Sequence, residues 1–583
     1  MTINLEDWDE DLPPETPGEQ YQTLVRSLRR RRGFGLLFIR CSPVDGKLLV
    51  ERVRKDLPQK NIEALHFDKP IKNLYDRVTE LPNPEEVDIL FIEGLENSLY
   101  QYETEKRQQG WDTSETLDYS RRGVPPILSH LNQHRERFRD DFNICFVFLL
   151  RPFGLKYFIH RAPDFFDWRS AELKITLDNL SLSPQEHAKK LLDIQELLAG
   201  KHQVSSDRAS LWFEQGNLLY MAQDYEGSIA SYNQAVTFKS DYYEAWKNLG
   251  NSRYYLGRYE AAIDSYNQAI ELQPYYYEVW NSRGISLDKL GRNEAAIASY
   301  DQAVQFKPDY SEAWYNRGIA LDKLGRNEAA IESYNQAVQF QPDDYQAWYN
   351  RGISLKNLGR YEEAIASYDQ AIKIKPDYHQ AWNNRGIYLA KIDKYEEAIA
   401  SYDQAIKIKP DKYGAWYKRG IALDQLGRYE QAIASYKQAV QFKPDYYEAW
   451  KNLGNSQYKL GKYAAAIDSY KQVVKIKPND HQAWHNQGIS WAKLSKNEEA
   501  IASYDQAVQL KPDYYEAWYN RGKSLDKLGK YEEAIVSYDQ AVQFKPDYHE
   551  AWNNRSISLR KLGRYEEAIA SYEQAVNFKP DKS

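Results

Sequence analysis

A tryptophan recurs every 34 residues through the C-terminal part of the chain. Its eleven positions are Trp212, Trp246, Trp280, Trp314, Trp348, Trp382, Trp416, Trp450, Trp484, Trp518 and Trp552. A fixed period of this size indicates stacked supersecondary units, each of which buries its apolar face against its neighbours. Residues 209–582 are therefore predicted to form an array of eleven repeats rather than one globular core.

Each unit has the pattern of two short helices. In the unit that begins at Ser311, the first helix has one apolar face, formed by Trp314, Gly318, Leu321 and Leu324. Gly325 stands where a left-handed residue ends a helix. The second helix ends before Pro342 and places small and large residues on one face, at Ala330, Tyr334 and Ala337. The recurring tryptophans, tyrosines and alanines are thus predicted to pack in the core.

This pattern resembles the tetratricopeptide repeat. Trp-x-x-x-Gly, followed by Ala-x-x-x-Tyr-x-x-Ala and a proline, matches that family over about two-thirds of the chain. The resemblance implies a mainly α fold, a right-handed superhelix (an α-solenoid) of eleven repeats with a concave groove. It also implies a protein–protein interaction scaffold or adaptor that binds peptide or protein segments in this groove.

An asparagine follows most of the tryptophans by two residues, a position that the resemblance places in the groove. The series comprises Asn248, Asn316, Asn350, Asn384, Asn452, Asn486, Asn520 and Asn554. Glu214, Ser282 and Lys418 interrupt it. It resembles the asparagine ladder of O-linked N-acetylglucosamine transferase, whose amides bond the backbone of an extended peptide. Plain solubilising polarity would give the same residues, so both interpretations stay open.

A carboxylate clamp of the kind found in chaperone-binding repeats is incomplete here. Lys451, Asn455 and Asn486 match its first half. Glu516 and Asn520 occupy the positions at which the clamp needs cations. A receptor for chaperone tails is therefore disfavoured.

An arginine row follows the tryptophans by three residues, at Arg283, Arg317, Arg351, Arg385, Arg419, Arg521 and Arg555. Such a row could bind a phosphate backbone. Most of the net charge of −7 lies before residue 209, so the repeats are close to neutral. Arginine stems also cover apolar surface. Nucleic acid is therefore disfavoured as a partner.

Residues 21–182 alternate between apolar runs and helical stretches. The apolar runs are Gly35–Arg40, Glu63–Phe67, Val87–Ile92 and Asn143–Leu150, and the helical stretches are Gly46–Leu57, Ile71–Leu81 and Tyr119–Phe138. The alternation predicts a parallel α/β sheet that is covered on both faces. Residues 1–20 are predicted to be a flexible acidic tail, and residues 183–208 a helical connection to the array.

The segment after the first predicted strand, Cys41–Leu48, resembles the Walker A loop, whose backbone amides and lysine hold phosphates. Gly46 and Lys47 match that motif, and Glu93 matches the metal-side acid of a Walker B segment. The first residue of the loop is cysteine instead of glycine, and the last is leucine instead of the hydroxyl residue that binds magnesium. The resemblance to STAND-type and AAA-like ATPases implies a degenerate P-loop domain to which ATP could bind, with hydrolysis disfavoured. The alternative is a nucleotide-dependent signalling ATPase that uses the array as its sensor.

Composition indicates the cellular compartment in which the protein folds. Cys41 and Cys145 are too few for a disulfide scaffold, which indicates a reducing compartment. The acidic N-terminus lacks the apolar core of a secretory signal, and no apolar run reaches membrane-spanning length. A cytoplasmic protein is predicted, with neither a metal site nor a nucleophile–base pair.

The last repeat has the composition of an internal one. Its second helix, EEAIASYEQAVNF, is nearly the same as EEAIASYDQAIKI within the array. An uncovered apolar side favours association. The sequence therefore predicts a homodimer through residues 549–583.

Overall fold

The computed structural model describes residues 17–41, 43–108, 124–150, 155, 158, 163–166, 169, 171–174, 184–199 and 205–578. The chain divides into two compact units, Met1–Pro274 and Tyr275–Ser583. The first unit holds an α/β domain and two repeats, and the second holds the other nine repeats. None of the helices in the described ranges combines the length and the apolar character that crossing a membrane requires.

A parallel sheet of five strands forms the centre of the α/β domain. The strands are β1 (Gly35–Arg40), β2 (Ile62–His66), β3 (Ile89–Glu93), β4 (Cys145–Leu150) and β5 (Ala171–Lys174). Their order is β2–β3–β4–β1–β5, and every pair is parallel. The helices are α1 (Pro17–Arg30), α2 (Pro43–Asp56), α3 (Leu74–Thr79), α4 (Glu96–Gln108), α5 (Pro126–Asp141), α6 (Pro163–Phe166) and α7 (Pro184–Ala199), with a 3₁₀ turn at Pro84–Glu86.

Helices cover both faces of this sheet, which explains why its strands are continuous apolar runs. On one face, Leu28 of α1 and Val53 of α2 pack in the same cluster as Leu37 of β1. On the other face, α3, α4, α5 and α6 pack in the same cluster as Phe38. The connection after β1 thus runs over one face, and that after its neighbour β4 over the other. Open α/β sheets commonly bind ligands at the carboxyl ends of the two strands between which the connections change direction, here β1 and β4.

The parallel α/β domain is confirmed, with differences at its borders. Helix α1 begins at Pro17, inside the predicted tail, because proline is favourable at the first helical position. Helix α2 begins at Pro43, before the predicted start at Gly46, for the same reason. Strand β5 and helix α4 were not predicted, since the former is short and the latter is mostly polar. The predicted helix over Tyr119–Phe138 lies partly outside the described residues.

Eleven consecutive helix pairs follow between residues 205 and 578, as predicted. The pairs, numbered here as repeats 1 to 11, are formed in chain order by α8 (Ser205–Met221), α9 (Tyr225–Phe238), α10 (Tyr243–Tyr255), α11 (Tyr259–Leu272), α12 (Tyr277–Lys289), α13 (Asn293–Phe306), α14 (Ser311–Lys323), α15 (Asn327–Phe340), α16 (Tyr345–Asn357), α17 (Tyr361–Ile374), α18 (His379–Lys391), α19 (Tyr395–Ile408), α20 (Tyr413–Gln425), α21 (Tyr429–Phe442), α22 (Tyr447–Lys459), α23 (Tyr463–Ile476), α24 (His481–Lys493), α25 (Asn497–Leu510), α26 (Tyr515–Lys527), α27 (Tyr531–Phe544), α28 (His549–Lys561) and α29 (Tyr565–Asn577). The first helix begins at Ser205, ahead of the predicted start at residue 209.

A small residue lets the two helices of each repeat approach closely. A Cβ atom at Gly318 would lie 2.6 Å from Cε1 of Tyr334, so a side chain there would force the helices apart. Tyr334 and Ala330 are buried in this contact, as predicted. Trp314 donates from Nε1 to the carbonyl oxygen of Pro308 at 2.9 Å, which ties the first helix to the loop before it.

The turn inside each repeat needs a left-handed residue. Gly325 has φ +72°, in agreement with its predicted role. Gln223, Asp393 and Ser495 adopt the same conformation, with φ of 63°, 60° and 57°. This conformation costs a non-glycine residue about 1–2 kcal/mol. The array therefore keeps the turn even where the sequence lacks the residue that favours it.

The arginine row links neighbouring repeats. Arg385 donates from Nη1 to Ser401 Oγ of its own repeat at 2.6 Å, and from Nε to Asp369 Oδ1 of the preceding repeat at 2.5 Å. The same two contacts recur at Arg317, Arg419, Arg521 and Arg555. The donors that a phosphate backbone would need are thus engaged within the array.

Within the second unit, this arginine bridge is absent at two successive junctions, between repeats 7 and 8 and between repeats 8 and 9. Leu453 and Gln487 occupy the arginine positions there. Lys437 and Lys471 occupy the positions of the accepting aspartates. Both partners of the bridge have therefore changed together at each junction.

Candidate functional site

The asparagines of the predicted ladder lie half-buried along the first helices of the repeats. Asn350 Nδ2 donates to Tyr315 OH of the preceding repeat at 3.2 Å. Comparable bonds to the preceding repeat are made by Asn248, Asn316, Asn384, Asn452, Asn486, Asn520 and Asn554. One N–H of each amide therefore holds the array together, whether or not a peptide is bound. A role in peptide binding stays a prediction for this series.

A cavity of ≈ 440 Å³ lies against the first helices of repeats 7, 8 and 9. Asn452 and Asn486 of the ladder line it, together with Asn455, Tyr458 and Lys459. A cavity of this volume is large enough for a short peptide segment or a small molecule. The asparagine series alone did not predict that one part of the array would differ from the rest in this way.

Hydrogen-bonding groups in this cavity are only partly used. Asn455 Oδ1 accepts from Tyr470 OH at 2.8 Å and from Asn486 Nδ2 at 3.3 Å. Asn455 Nδ2 has no acceptor among the described residues. Asp424 accepts from Tyr436 OH at 2.9 Å, so its carboxylate is already engaged. The cavity therefore offers an amide donor of a kind that binds a peptide carbonyl.

The incomplete clamp is engaged internally. Lys451 Nζ lies 3.3 Å from Asp480 Oδ2 and 2.7 Å from Gln482 Oε1. Its ammonium group is thus paired with the next repeat. That a chaperone-tail clamp is disfavoured here stays a prediction.

A buried histidine occupies the junction after the cavity. His485 Nδ1 lies 3.0 Å from Tyr514 OH, and His485 Nε2 lies 3.0 Å from Asn520 Nδ2. Because an amide N–H can only donate, Nε2 is the unprotonated nitrogen and Nδ1 carries the proton. Burial lowers the pKa of His485 to about 4. The ring is therefore neutral near pH 7.

The segment predicted as a phosphate-binding loop does not form an open loop. Helix α2 begins at Pro43, so only residues 41 and 42 separate it from β1. A Cβ atom at Gly46 would lie 3.2 Å from Leu149 Cδ1 and 3.3 Å from Glu93 Oε1. Gly46 thus faces a side chain and a carboxylate. Lys47 forms no hydrogen bond or ion pair with the residues that the structure describes.

Glu93 lies at the end of β3, where its resemblance to a Walker B acid places it. Its Oε2 atom lies 3.2 Å from Nδ1 of His66, whose Nε2 lies 2.8 Å from Asp68 Oδ1. The bond to Glu93 is the main reason that the pKa of His66 is raised. Glu93 is therefore paired with a group of the protein itself.

A buried lysine enters the same edge of the domain from outside. The Nζ atom of Lys190, on α7, lies 2.8 Å from Asp45 Oδ1 and 2.9 Å from Glu214 Oε1. The Lys190 side chain is fully buried. Asp45 belongs to the first turn of α2, and Glu214 to the first helix of the array. One ammonium group therefore joins the α/β domain, the connecting helix and repeat 1.

The residues at this edge do not fit a nucleotide. Burial raises the pKa of the Cys41 thiol, and the carboxylates of Asp45, Glu96, Glu93 and Glu214 raise it further. A triphosphate would bring several negative charges close to these four carboxylates, while Lys190 is already paired. Within the described ranges, no group of three or more metal-ligating side chains is placed to hold an ion. ATP binding at Gly46, Lys47 and Glu93 stays a prediction with little structural support.

An apolar stripe is exposed on α29, the last described helix, at Tyr565, Ile569, Tyr572 and Val576. Ile569 is 60% exposed, whereas Ile535, its counterpart in repeat 10, is 5% exposed. The difference arises because the next repeat covers Ile535. The stripe lies within the segment predicted to associate.

Models of the tetratricopeptide repeat match most of the array. One, described as "Tetratricopeptide repeat", matches residues 247–311, 282–345, 315–379, 349–413 and 417–481. Related models match residues 515–548 and 549–582, and a "TPR repeat" model matches residues 216–254 and 490–529. No relative was found among curated proteins. Together these matches cover more than half of the chain.

Three solved structures match part of this chain. MamA from Desulfovibrio magneticus RS-1 is 23% identical, with 29% of this chain and 96% of that chain covered and a TM-score of 0.28. YrrB, described as a TPR protein with an unusual peptide-binding site, is 22% identical, with coverages of 32% and 96% and a TM-score of 0.30. Yeast Tom70 is 16% identical, with coverages of 64% and 92% and a TM-score of 0.26. Similarity at this level does not indicate what this chain binds.

Proposed function

Because the chain belongs to the tetratricopeptide repeat family, we propose that it is a protein-interaction scaffold whose first helices bind an extended peptide segment. The observation that carries the proposal is the cavity of ≈ 440 Å³ against repeats 7, 8 and 9. Its amide lining can serve both the N–H and the C=O of a peptide unit. Recognition of the backbone by amides leaves room for side chains of the ligand to set specificity.

A variant in which two asparagines of the cavity are replaced tests this function. Peptides are first selected from a displayed library of random dodecapeptides against the whole protein. Replacing Asn452 and Asn486 together with alanine removes two cavity amides. At about 0.5–1.5 kcal/mol for each hydrogen bond, affinity for the selected peptides is expected to fall on the order of tenfold. Isothermal titration calorimetry measures the change.

The control for this experiment is the same pair of substitutions at Asn316 and Asn350, which make equivalent bonds between repeats but do not line the cavity. Both variants should lose similar stability, since each loses two bonds between repeats. Equal affinity losses in the two variants would contradict a binding role for the cavity. Failure to select any peptide would contradict the scaffold function itself.

We also propose that the α/β domain is a degenerate relative of P-loop domains. Its proposed role is to support the array. The unit of β1 and α2 supports the relationship, because Gly46 and Lys47 lie near the start of α2, at the point where the connections change direction. The supporting role follows from the ion pairs of Lys190 with Asp45 and Glu214, because they join this edge of the α/β domain to repeat 1. A nucleotide-driven switch gains no support from these contacts.

We also propose that two copies of the chain associate through the exposed stripe on α29. The opposite end of the array is covered, since Ile194 of α7 is buried against Leu211 and Leu218 of repeat 1. The stripe therefore has no matching open end to receive it, and a two-fold contact of stripe against stripe closes the assembly.

Replacing Ile569 with glutamate should abolish this association, because it places a charge in the middle of the stripe. Light scattering across a range of protein concentrations measures the mass. Val536→Glu is the matched control, since Val536 is 57% exposed on the neighbouring repeat. A wild-type monomer at all concentrations, or a dimer that persists in Ile569→Glu, would rule the contact out.

A further inference from the structure

The eleven repeats can be compared with one another position by position. Their packing residues are nearly constant, and in repeats 2 to 10 an alanine, a tyrosine and a small third residue are buried in the second helix. Lys418, on the first helix of repeat 7, replaces the ladder asparagine that eight other repeats carry. The first helix of repeat 8 carries Asn455 and Tyr458, which only repeats 1 and 2 share, where most other repeats have isoleucine and a different residue. Asn455 and Tyr458 line the cavity of ≈ 440 Å³.

Lys418 is the most unusual of these residues. It lies half-buried on α20. Its ammonium forms no ion pair or hydrogen bond with any described residue. By contrast, Lys323 and Lys451 in other repeats are paired with Asp288 and Asp480. An ammonium group removed from water without a partner is unfavourable, and burial lowers the pKa of Lys418 accordingly.

Lys418 lies on the same helix face as two residues that line the cavity. Ile421 and Gln425 line the cavity and lie three and seven residues further along α20. Residues at this spacing share one helix face, so Lys418 stands at the margin of the same surface. Lys459, which lines the cavity itself, has its Nζ atom 4.8 Å from the ring centroid of Tyr429 and no carboxylate within ion-pair distance among the described residues.

The carboxylate of the cavity lining is already engaged. Asp424 accepts from Tyr436 OH at 2.9 Å and from Ser456 Oγ at 2.8 Å. The ammonium groups of Lys418 and of Lys459, which lines the cavity, have no carboxylate partner among the described residues. A negatively charged group of a ligand would pair with the ammonium of Lys418, for which the described residues supply no carboxylate.

We propose that the peptide segment bound by repeats 7, 8 and 9 carries an aspartate or glutamate side chain that pairs with Lys418. This inference rests on the proposed scaffold function and adds the chemistry of the ligand to it. The backbone of the segment lies along the amides of Asn455 and Asn452, and its carboxylate reaches the ammonium of Lys418 one helical turn away. Specificity then comes from a residue that the other ten repeats do not have at this position.

The proposal is tested by selecting random dodecapeptides against the wild-type protein and then measuring their binding to two variants at position 418. Lys418→Met keeps the length of the side chain and removes its charge, and Lys418→Asn restores the residue that most other repeats carry. Peptides selected by the wild type are expected to share an acidic residue at one position. Both variants should bind these peptides at least tenfold more weakly. Replacing the acidic residue of a peptide by its amide should cause the same loss in the wild type and no further loss in Lys418→Met.

A stability measurement separates binding from folding. Because Lys418 is unpaired, Lys418→Met should unfold at the same temperature as the wild type or at a higher one. Lys527→Met, which changes an exposed lysine of repeat 10, should leave affinity unchanged. Selected peptides without a shared acidic residue, or an acidic preference that persists in Lys418→Met, would overturn this inference and leave the scaffold function standing. If no peptide can be selected at all, both fail.

Discussion

Lys190→Met should lower the free energy of unfolding of the first unit by about 3–5 kcal/mol, because it leaves buried carboxylates without their cation. The ammonium lies within 2.9 Å of both Asp45 Oδ1 and Glu214 Oε1, and neither carboxylate has much access to water. Hydrogen exchange should quicken in α2, α7 and α8 together, since the lysine joins all three. Repeats of the second unit, which have their own cores, should keep their exchange rates.

The matched control is the preceding residue on the same helix. Lys189 pairs with Glu51, and both side chains are about half exposed. Lys189→Met is therefore expected to change stability by less than about 1 kcal/mol. Differential scanning calorimetry of the two variants gives the comparison. If the two substitutions had equally small effects, the buried lysine would not hold the α/β domain to the array.

Acidification should destabilise the second unit through His485. An unfolded histidine titrates near pH 6.5, whereas the folded pKa is about 4. Between these values the unfolded chain binds more protons, so stability falls as the pH falls from about 6.5 towards 4. The loss between about pH 7.5 and about pH 5 should be about 2 kcal/mol from this residue alone. Chemical denaturation at a series of pH values measures it.

The array contains its own control for this titration. Repeats 4, 5, 7 and 10 carry a tyrosine at the position of His485, and Tyr315, Tyr349, Tyr417 and Tyr519 each accept a hydrogen bond from the asparagine of the next repeat. His485→Tyr should keep the bond from Asn520 and remove the group that titrates. Its stability should then depend less steeply on pH in this range. An unchanged slope would mean that other groups, such as His481, whose pKa burial also lowers, cause the acid sensitivity.

The periodic sequence predicted the array well, because each repeat uses the same local contacts. The spacing of Gly318 and Tyr334 is enough to infer that one helix lies directly on the other, and the structure confirms it. Which residues accept the hydrogen bonds of each arginine was harder to infer. The row of arginines is visible in the sequence, whereas the serine and aspartate that bind Arg385 lie sixteen residues away on either side, on different helices.

The α/β domain shows how far a short motif predicts local structure. Gly46 and Lys47 match two positions of a phosphate-binding loop, whereas in the structure both belong to a helix that begins at Pro43, and their role in nucleotide binding stays a prediction. Lys190 gave no signal in the sequence, because it lies among lysines and glutamates of an ordinary amphipathic helix. Its burial depends on α2 and α8, which tertiary packing brings together. Lys418, in contrast, was visible as an interruption of the asparagine series and needed the structure only to show that it is unpaired.

The missing arginine bridges have a mechanical consequence. An array of stacked repeats is about as stiff as its junctions, since each repeat contacts only its neighbours. At the junctions on either side of repeat 8, Leu453 and Gln487 cannot cross-link to the preceding helix, and Lys437 and Lys471 offer no acceptor. Other bonds still cross these junctions, such as that of Ser456 to Asp424 and that of Lys451 to Asp480, so the repeats stay joined without the arginine. We expect the two junctions, which lie within the stretch that lines the cavity, to bend more easily than the bridged junctions of the second unit. A bound segment is then expected to change the curvature of the array there at a smaller elastic cost than elsewhere.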